Sequence, residues 1–134
     1  MPGSGGNGLR VLAGLMLSHA LAAPCIAGVL PEQEVAELLA AVRSSGCDFE
    51  RNGTLFSGSE AADHLSGKYG SVARRPGASA EHFIESVGTA SSTSGRAYVV
   101  RCTGEAAQSS KIWLTNQLRI MRSRRARAAE AGAH

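Results

Sequence analysis

The chain has 134 residues, 14 of them basic and 11 acidic, for a formal net charge of +3; that length gives room for one domain, not two. The positive excess is local: Arg119, Arg122, Arg124, Arg125 and Arg127 crowd the C-terminal end, while residues 23–118 hold eight basic against ten acidic side chains. A slightly acidic body, and a basic end with no aromatics among its arginines, exclude nucleic acid as the expected partner.

In chain order, a polar, glycine-rich start carrying Arg10 leads into a mostly apolar run from Val11 to Ala23, 13 residues ending in Ala20-Leu21-Ala22. Signal peptidases read small residues in that A-x-A arrangement, so residues 1–23 are expected to be a secretory signal peptide and the protein periplasmic or secreted. The run is shorter than the about 20 apolar residues of a membrane span, so no stable membrane insertion is expected after cleavage. Cys25 lies just beyond, in no clear element, and is the spare among three cysteines.

Pro31 suits a first helical turn, and Glu32 and Glu34 sit near the positive end of the dipole. Val35, Leu38, Leu39 and Val42 then recur at i, i+3, i+4 and i+7, and Gly46 ends helix one. Residues 47–49 read as a short strand. Asn52-Gly53 is the strongest local hairpin signal, because both residues accept positive φ, and residues 54–56 have room to return as a second strand. Ser57 and Glu60 match a capping box for helix two, with Ala61, Ala62, Leu65, Tyr69 and Val72 inward. Gly67 and Gly70 weaken its end, where fraying is expected near Lys68.

Arg74-Arg75-Pro76-Gly77 is a linker, and Ser79 caps helix three with Ala80, Phe83, Ile84 and Val87 at helical spacing. A polar loop over 89–95 precedes a strand at 97–102 and a further loop through Gly104. Ser109 or Ser110 caps helix four, whose Trp113, Leu114, Leu118 and Met121 face the core. Past Arg122 the apolar positions end, and residues 122–134 are expected to be a frayed or disordered tail, dispensable for folding. The expected fold is α+β, with about four helices on a small antiparallel sheet or hairpin, in a single domain over 24–121. Cys47 shares a parity with Phe49, and Cys102 with Tyr98 and Val100. If these strands are neighbours, the two cysteines face each other and can close the one disulfide that staples the fold, a bond that an exported setting preserves.

Six motifs come in one order: Cys47-x-Phe49-x-Arg51-Asn52-Gly53, Glu60-Ala61-Ala62-x-His64-Leu65-x-x-Lys68, Glu81-x-Phe83-Ile84, Ala90-Ser91-Ser92-x-Ser94-Gly95, Tyr98-x-Val100-Arg101-Cys102 and Trp113-Leu114. The series, over residues 47–118, resembles the YfeK-like family of small exported bacterial proteins, a domain of unknown function. The resemblance implies a periplasmic location and a paired Cys47–Cys102, and carries no catalytic assignment.

The candidate ligand-binding residues are Arg51, Asn52, His64 and Arg101. Arginine presents a planar fork suited to carboxylate or phosphate. Arg51 and Arg101 read first as internal ion pairs with Asp48, Glu50 or Glu60. The functional reading makes them, with Asn52 and the serine loop, a small anion-binding notch. His82 and Glu85 at i, i+3 supply two metal ligands and no third, so no metal or other cofactor is expected. The loop holding Ser91, Ser92 and Ser94 lacks G-x-S-x-G and S-x-x-K frames, so no catalytic residue is assigned. The leading expectation is a non-enzymatic binding or interaction module whose partner is an envelope protein or a small anionic ligand. The alternative is a small periplasmic hydrolase or metal-dependent enzyme using His64, His82 and the 91–94 loop.

Overall fold

The computed structural model describes residues 28–73 and 75–133, with 2, 3 and 5 as isolated positions. The rest of the expected signal peptide, Cys25, Arg74 and the side chain of Val72 lie outside the described residues.

Helix α1 (Pro31–Ser44) starts with the Leu30 carbonyl accepting from Gln33 and Glu34, while the Gln33 side chain accepts from the Leu30 N–H at 3.0 Å. Gly46, at φ +69°, turns the chain out of the helix. Strands β1 (Asp48–Arg51) and β2 (Thr54–Ser57) form the hairpin, and Asn52 and Gly53 both take positive φ, 51° and 82°. Ser57 caps α2 (Gly58–Lys68) by accepting from the Glu60 N–H at 3.2 Å, and the Glu60 carboxylate accepts from the Ser57 N–H at 2.8 Å. A Cβ on Gly58 would run into the carbonyl oxygen of Val42, so only glycine lets α2 start this close to α1.

Where fraying is expected near Lys68, the helix instead continues and widens into a π-helical turn, Tyr69–Ala73. Helix α3 (Ala80–Phe83), capped by Ser79, likewise runs into a π-helical turn, Ile84–Gly88. Strand β3 (Val99–Arg101) is shorter than the pattern suggested, and β4 (Gln108–Ser109) was not anticipated. Of the two candidate caps it is Ser109 that starts α4 (Ser110–Gly132), accepting from the Ile112 N–H.

The sheet is antiparallel, in the order β2-β1-β3-β4. Phe49 pairs with Phe56 on one side and Val100 on the other, so these three share the inner face. Glu50, Leu55 and Val99 share the outer one. Helices cover the inner face. Phe83, Leu38 and Leu114 are fully buried, and Phe49 meets Trp113 edge-on with ring centroids 5.6 Å apart. Asp48 pairs with Arg101, which sets Cys47 beside Cys102 one step further along. The two cysteines are bridged, with Cα atoms 4.4 Å apart and a sequence separation of 55. On the chain-entropy model a loop of that size is stabilised by about 4 kcal/mol, a large share of a typical total of roughly 5–15 kcal/mol. The α+β fold and its staple are therefore as the sequence reads.

The tail departs from the reading. Helix α4 continues for 23 residues to Gly132 in place of fraying beyond Arg122. As far as Arg125 the cause is electrostatic: Arg122 and Arg125 engage carboxylates of α1 and α3, contacts that an apolar stripe cannot reveal.

Candidate functional site

Counting inward-facing positions from Phe49 places Arg51 on the inner face of β1. The pairing of Glu50 with Val99 puts Tyr98 next across from Arg51, and the Ser110 N–H donates to the Tyr98 carbonyl at 2.9 Å. Arg51, Tyr98 and Ser110 thus form a row across one end of the sheet. Helix α2 lies over the row. Ala61, His64, Leu65 and Lys68 stand three and four residues apart on one stripe of it. His64 Nε2 lies 3.3 Å from the Tyr98 hydroxyl, the two rings edge to face at 6.2 Å.

Lys68 is committed to structure. Its Nζ donates to the carbonyls of Val87 and Ala90 at 3.3 and 2.8 Å and sits 5.4 Å from the centre of the Tyr98 ring. Asn52 is committed too: its side chain donates to Ser91 Oγ at 3.3 Å and accepts from Ser94 Oγ, pinning the serine loop to the hairpin turn. Burial, then the charge of Arg51, then that of Lys68, holds the His64 imidazole below its ordinary pKa. Burial and Arg51 lower Lys68 in the same way. Burial raises the Tyr98 phenol, with the Arg51 guanidinium pulling the other way.

Two hollows meet at this row. One, of about 330 Å³, lies between α2 and the sheet and is lined by Phe49, Phe56, Ala61, Leu65 and Tyr98, with Arg51, His64 and Ser110 as polar members and Glu50, Glu60 and Asp63 as acidic ones. The other, a shallower cleft of about 430 Å³, takes in Arg51, His64, Lys68, Tyr98, Ser92 and Thr93. Among the described residues, two buried side-chain polar atoms lack a hydrogen-bond partner, Arg51 Nε and Ser110 Oγ. Both belong to residues lining the first hollow. The nearby acids are engaged elsewhere, Glu60 by Ser57 and Asp63 by Arg43. Among the described residues no carboxylate pairs with Arg51.

The structure separates the two arginines of the expected notch. Arg101 lies on the outer face, its Nε and Nη2 donating to one Glu50 oxygen at 2.9 and 2.7 Å, so the ion-pair reading describes Arg101 and not Arg51. Parity from the two cysteines carries this signal: Cys47, Phe49 and Arg51 alternate onto one face with Cys102, Val100 and Tyr98, and Arg101 falls on the other. His64 meets Tyr98 and not a serine, while His82 lies 3.4 Å from Ser86, one turn along its own helix. Among the described residues no three His, Cys, Asp or Glu side chains gather as a metal site, and no helix is long and apolar enough to cross a membrane. Tyr98, Ser110 and Lys68 entered the sequence reading as core, cap and motif positions without a role at the site.

The model of a family of unknown function, DUF5329, matches residues 30–122, a span that includes every side chain of this site. No curated protein and no solved structure matches the chain.

Proposed function

The chain belongs to the family of unknown function DUF5329, and we propose that it is an exported, disulfide-stapled binding module that takes a small anionic ligand at Arg51. One observation carries this reading: a half-buried guanidinium on the inner face, with an unpartnered Nε and no carboxylate among the described residues to neutralise it. Charged side chains are seldom buried unpaired, and an arginine fork offers parallel donors to a planar anion. Tyr98 and neutral His64 stand beside it as hydroxyl and imidazole partners. Export is supported by the apolar N-terminal run with its A-x-A end and by a Cys47–Cys102 bridge of the kind that persists outside a reducing cytoplasm. The likeness to the YfeK-like proteins is part of the same proposal and rests on the six ordered motifs.

The test uses the oxidised protein and acetate as the probe. Acetate should shift the Arg51 Nε–H resonance and its neighbours in a saturable way, and Arg51→Met should abolish the response while leaving the fold intact. A response that survives Arg51→Met places the anion elsewhere and ends the reading. For location, mass spectrometry of the protein recovered from the envelope or medium should find a chain starting at Ala23. An intact N-terminus there ends the claim of a cleaved signal.

A further inference from the structure

Resting on the reading of Arg51 as an anion site, we propose that the ligand is an amphipathic monocarboxylate whose short apolar body occupies the hollow between α2 and the inner face of the sheet. The hollow has two chemically different parts. Phe49, Phe56, Ala61 and Leu65 give it an apolar body, and the Arg51–Tyr98–Ser110 row gives it a polar end. Both buried, unpartnered polar atoms lie in that row, and Ser110 is only 1% exposed. An apolar guest alone would leave Arg51 Nε and Ser110 Oγ without partners, at the full desolvation cost of each. A simple inorganic anion would leave the apolar walls unused.

Charge sets the head group. Among the described residues the Arg51 guanidinium has no carboxylate partner, and the Lys68 ammonium is spent on two carbonyls. Glu50, Glu60 and Asp63 also line the hollow and are engaged by Arg101, Ser57 and Arg43. Among the described residues, one cation without a carboxylate partner beside three carboxylates engaged elsewhere leaves room for a monoanion and disfavours a dianionic phosphate. Volume sets the body. About 330 Å³ is at the small end for ligand pockets, which run roughly 300–1,000 Å³, and admits a chain of a few carbons.

The experiment is an NMR titration of the oxidised protein with acetate, butyrate and hexanoate, read at the Arg51 Nε–H, the Ser110 amide and the Ala61 methyl. Each methylene that enters the hollow should tighten Kd about fourfold, the equivalent of about 0.8 kcal/mol, so hexanoate should bind on the order of a hundredfold tighter than acetate. Ala61→Leu, which fills the hollow, should keep the acetate response and lose the gain from chain length. If the three acids bind alike, the amphipathic ligand is overturned while the anion site stands. If none of them moves Arg51, the anion site itself falls. Hexanol binding as tightly as hexanoate removes the need for a carboxylate, and hexyl phosphate binding more tightly overturns the choice of head group. Because the homologous series is measured on the unaltered protein, the proposal is tested even if Ala61→Leu does not fold.

Discussion

Arg122 holds Glu34 in a two-pronged grip across 88 residues of sequence, its Nε and Nη2 donating to the two carboxylate oxygens at 2.9 and 2.8 Å. Glu34 is 8% exposed, and a buried carboxylate requires such partners. Arg125 adds a donor to the same group and one to Glu37, and Arg122 also pairs with Glu81. One buried acid on α1 therefore recruits two arginines, and the turn of α4 from Arg122 to Arg125 is held against α1 and α3.

Glu34 makes stability depend on acid. The Arg122 hydrogen bond, against the opposing cost of burial, lowers its pKa from 4.5 to about 2. Between those values the unfolded chain binds the proton and the folded one does not, so the contribution is complete above pH 4.5 and is lost as pH falls toward 2. With the Arg122 side chain 45% exposed, solvent screening reduces its size to about 2 kcal/mol. Urea titrations at several pH values should show this loss. Glu34→Gln should shrink the pH dependence in that window, leaving the part that Glu81 and Glu60, also lowered, contribute, and an unchanged profile would show that Glu34 does not carry it.

Removing residues 127–133 should leave Tm within about 2 °C, because none of the described ion pairs uses them. Ending the chain after Met121 should lower Tm by roughly 5–15 °C, since it strands Glu34 without either arginine. Equal melting of the two truncations would reduce the grip to a surface contact.

What was legible in the sequence was what is encoded locally. The Val35–Leu38–Val42 stripe, the Asn52-Gly53 turn and the caps at Ser57, Ser79 and Ser109 each lie within a few residues of what they organise. The site was half legible. Arg51 and His64 stand out in the sequence, but the strict alternation of faces along a strand puts Arg101 on the face opposite Arg51. The α4 contacts were legible only in spacing, as Leu118, Arg122 and Arg125 continue the buried stripe at i, i+4 and i+7. Their partner, Glu34, lies on another helix, and no local pattern points to it.

Breaking the Cys47–Cys102 bridge by reduction, or in the Cys47→Ala, Cys102→Ala double variant, should cost about 2–5 kcal/mol and lower Tm by more than about 8 °C. Peptide mapping of the oxidised protein should find Cys25 outside the bridge. A native bridge that contains Cys25 would refute the pairing.

His64 should titrate below 6.5, and Arg51→Met should raise its midpoint only in part, because burial is the larger cause and Arg51 the second. Since its folded pKa is depressed, the stability linked to neutral His64 is complete above pH 6.5 and falls as pH drops below it. NMR titration of the imidazole signals measures both effects. A midpoint unmoved by Arg51→Met would mean the guanidinium lies too far away to form a common site.

Ser110 separates the demands of folding from those of binding. It is the first residue of α4, and its backbone N–H is satisfied by the Tyr98 carbonyl, while its buried hydroxyl has no partner among the described residues. A buried hydroxyl without a hydrogen bond costs about 1–3 kcal/mol, and alanine removes that cost along with one polar atom, leaving the Ser109 cap untouched. Ser110→Ala should therefore raise the stability of the ligand-free protein by about 1 kcal/mol, or leave it unchanged, where most buried substitutions destabilise. The same change should weaken hexanoate severalfold, because the hydroxyl would no longer meet the carboxylate. A variant that is less stable and binds hexanoate normally would show that the hydroxyl serves the fold and not the ligand.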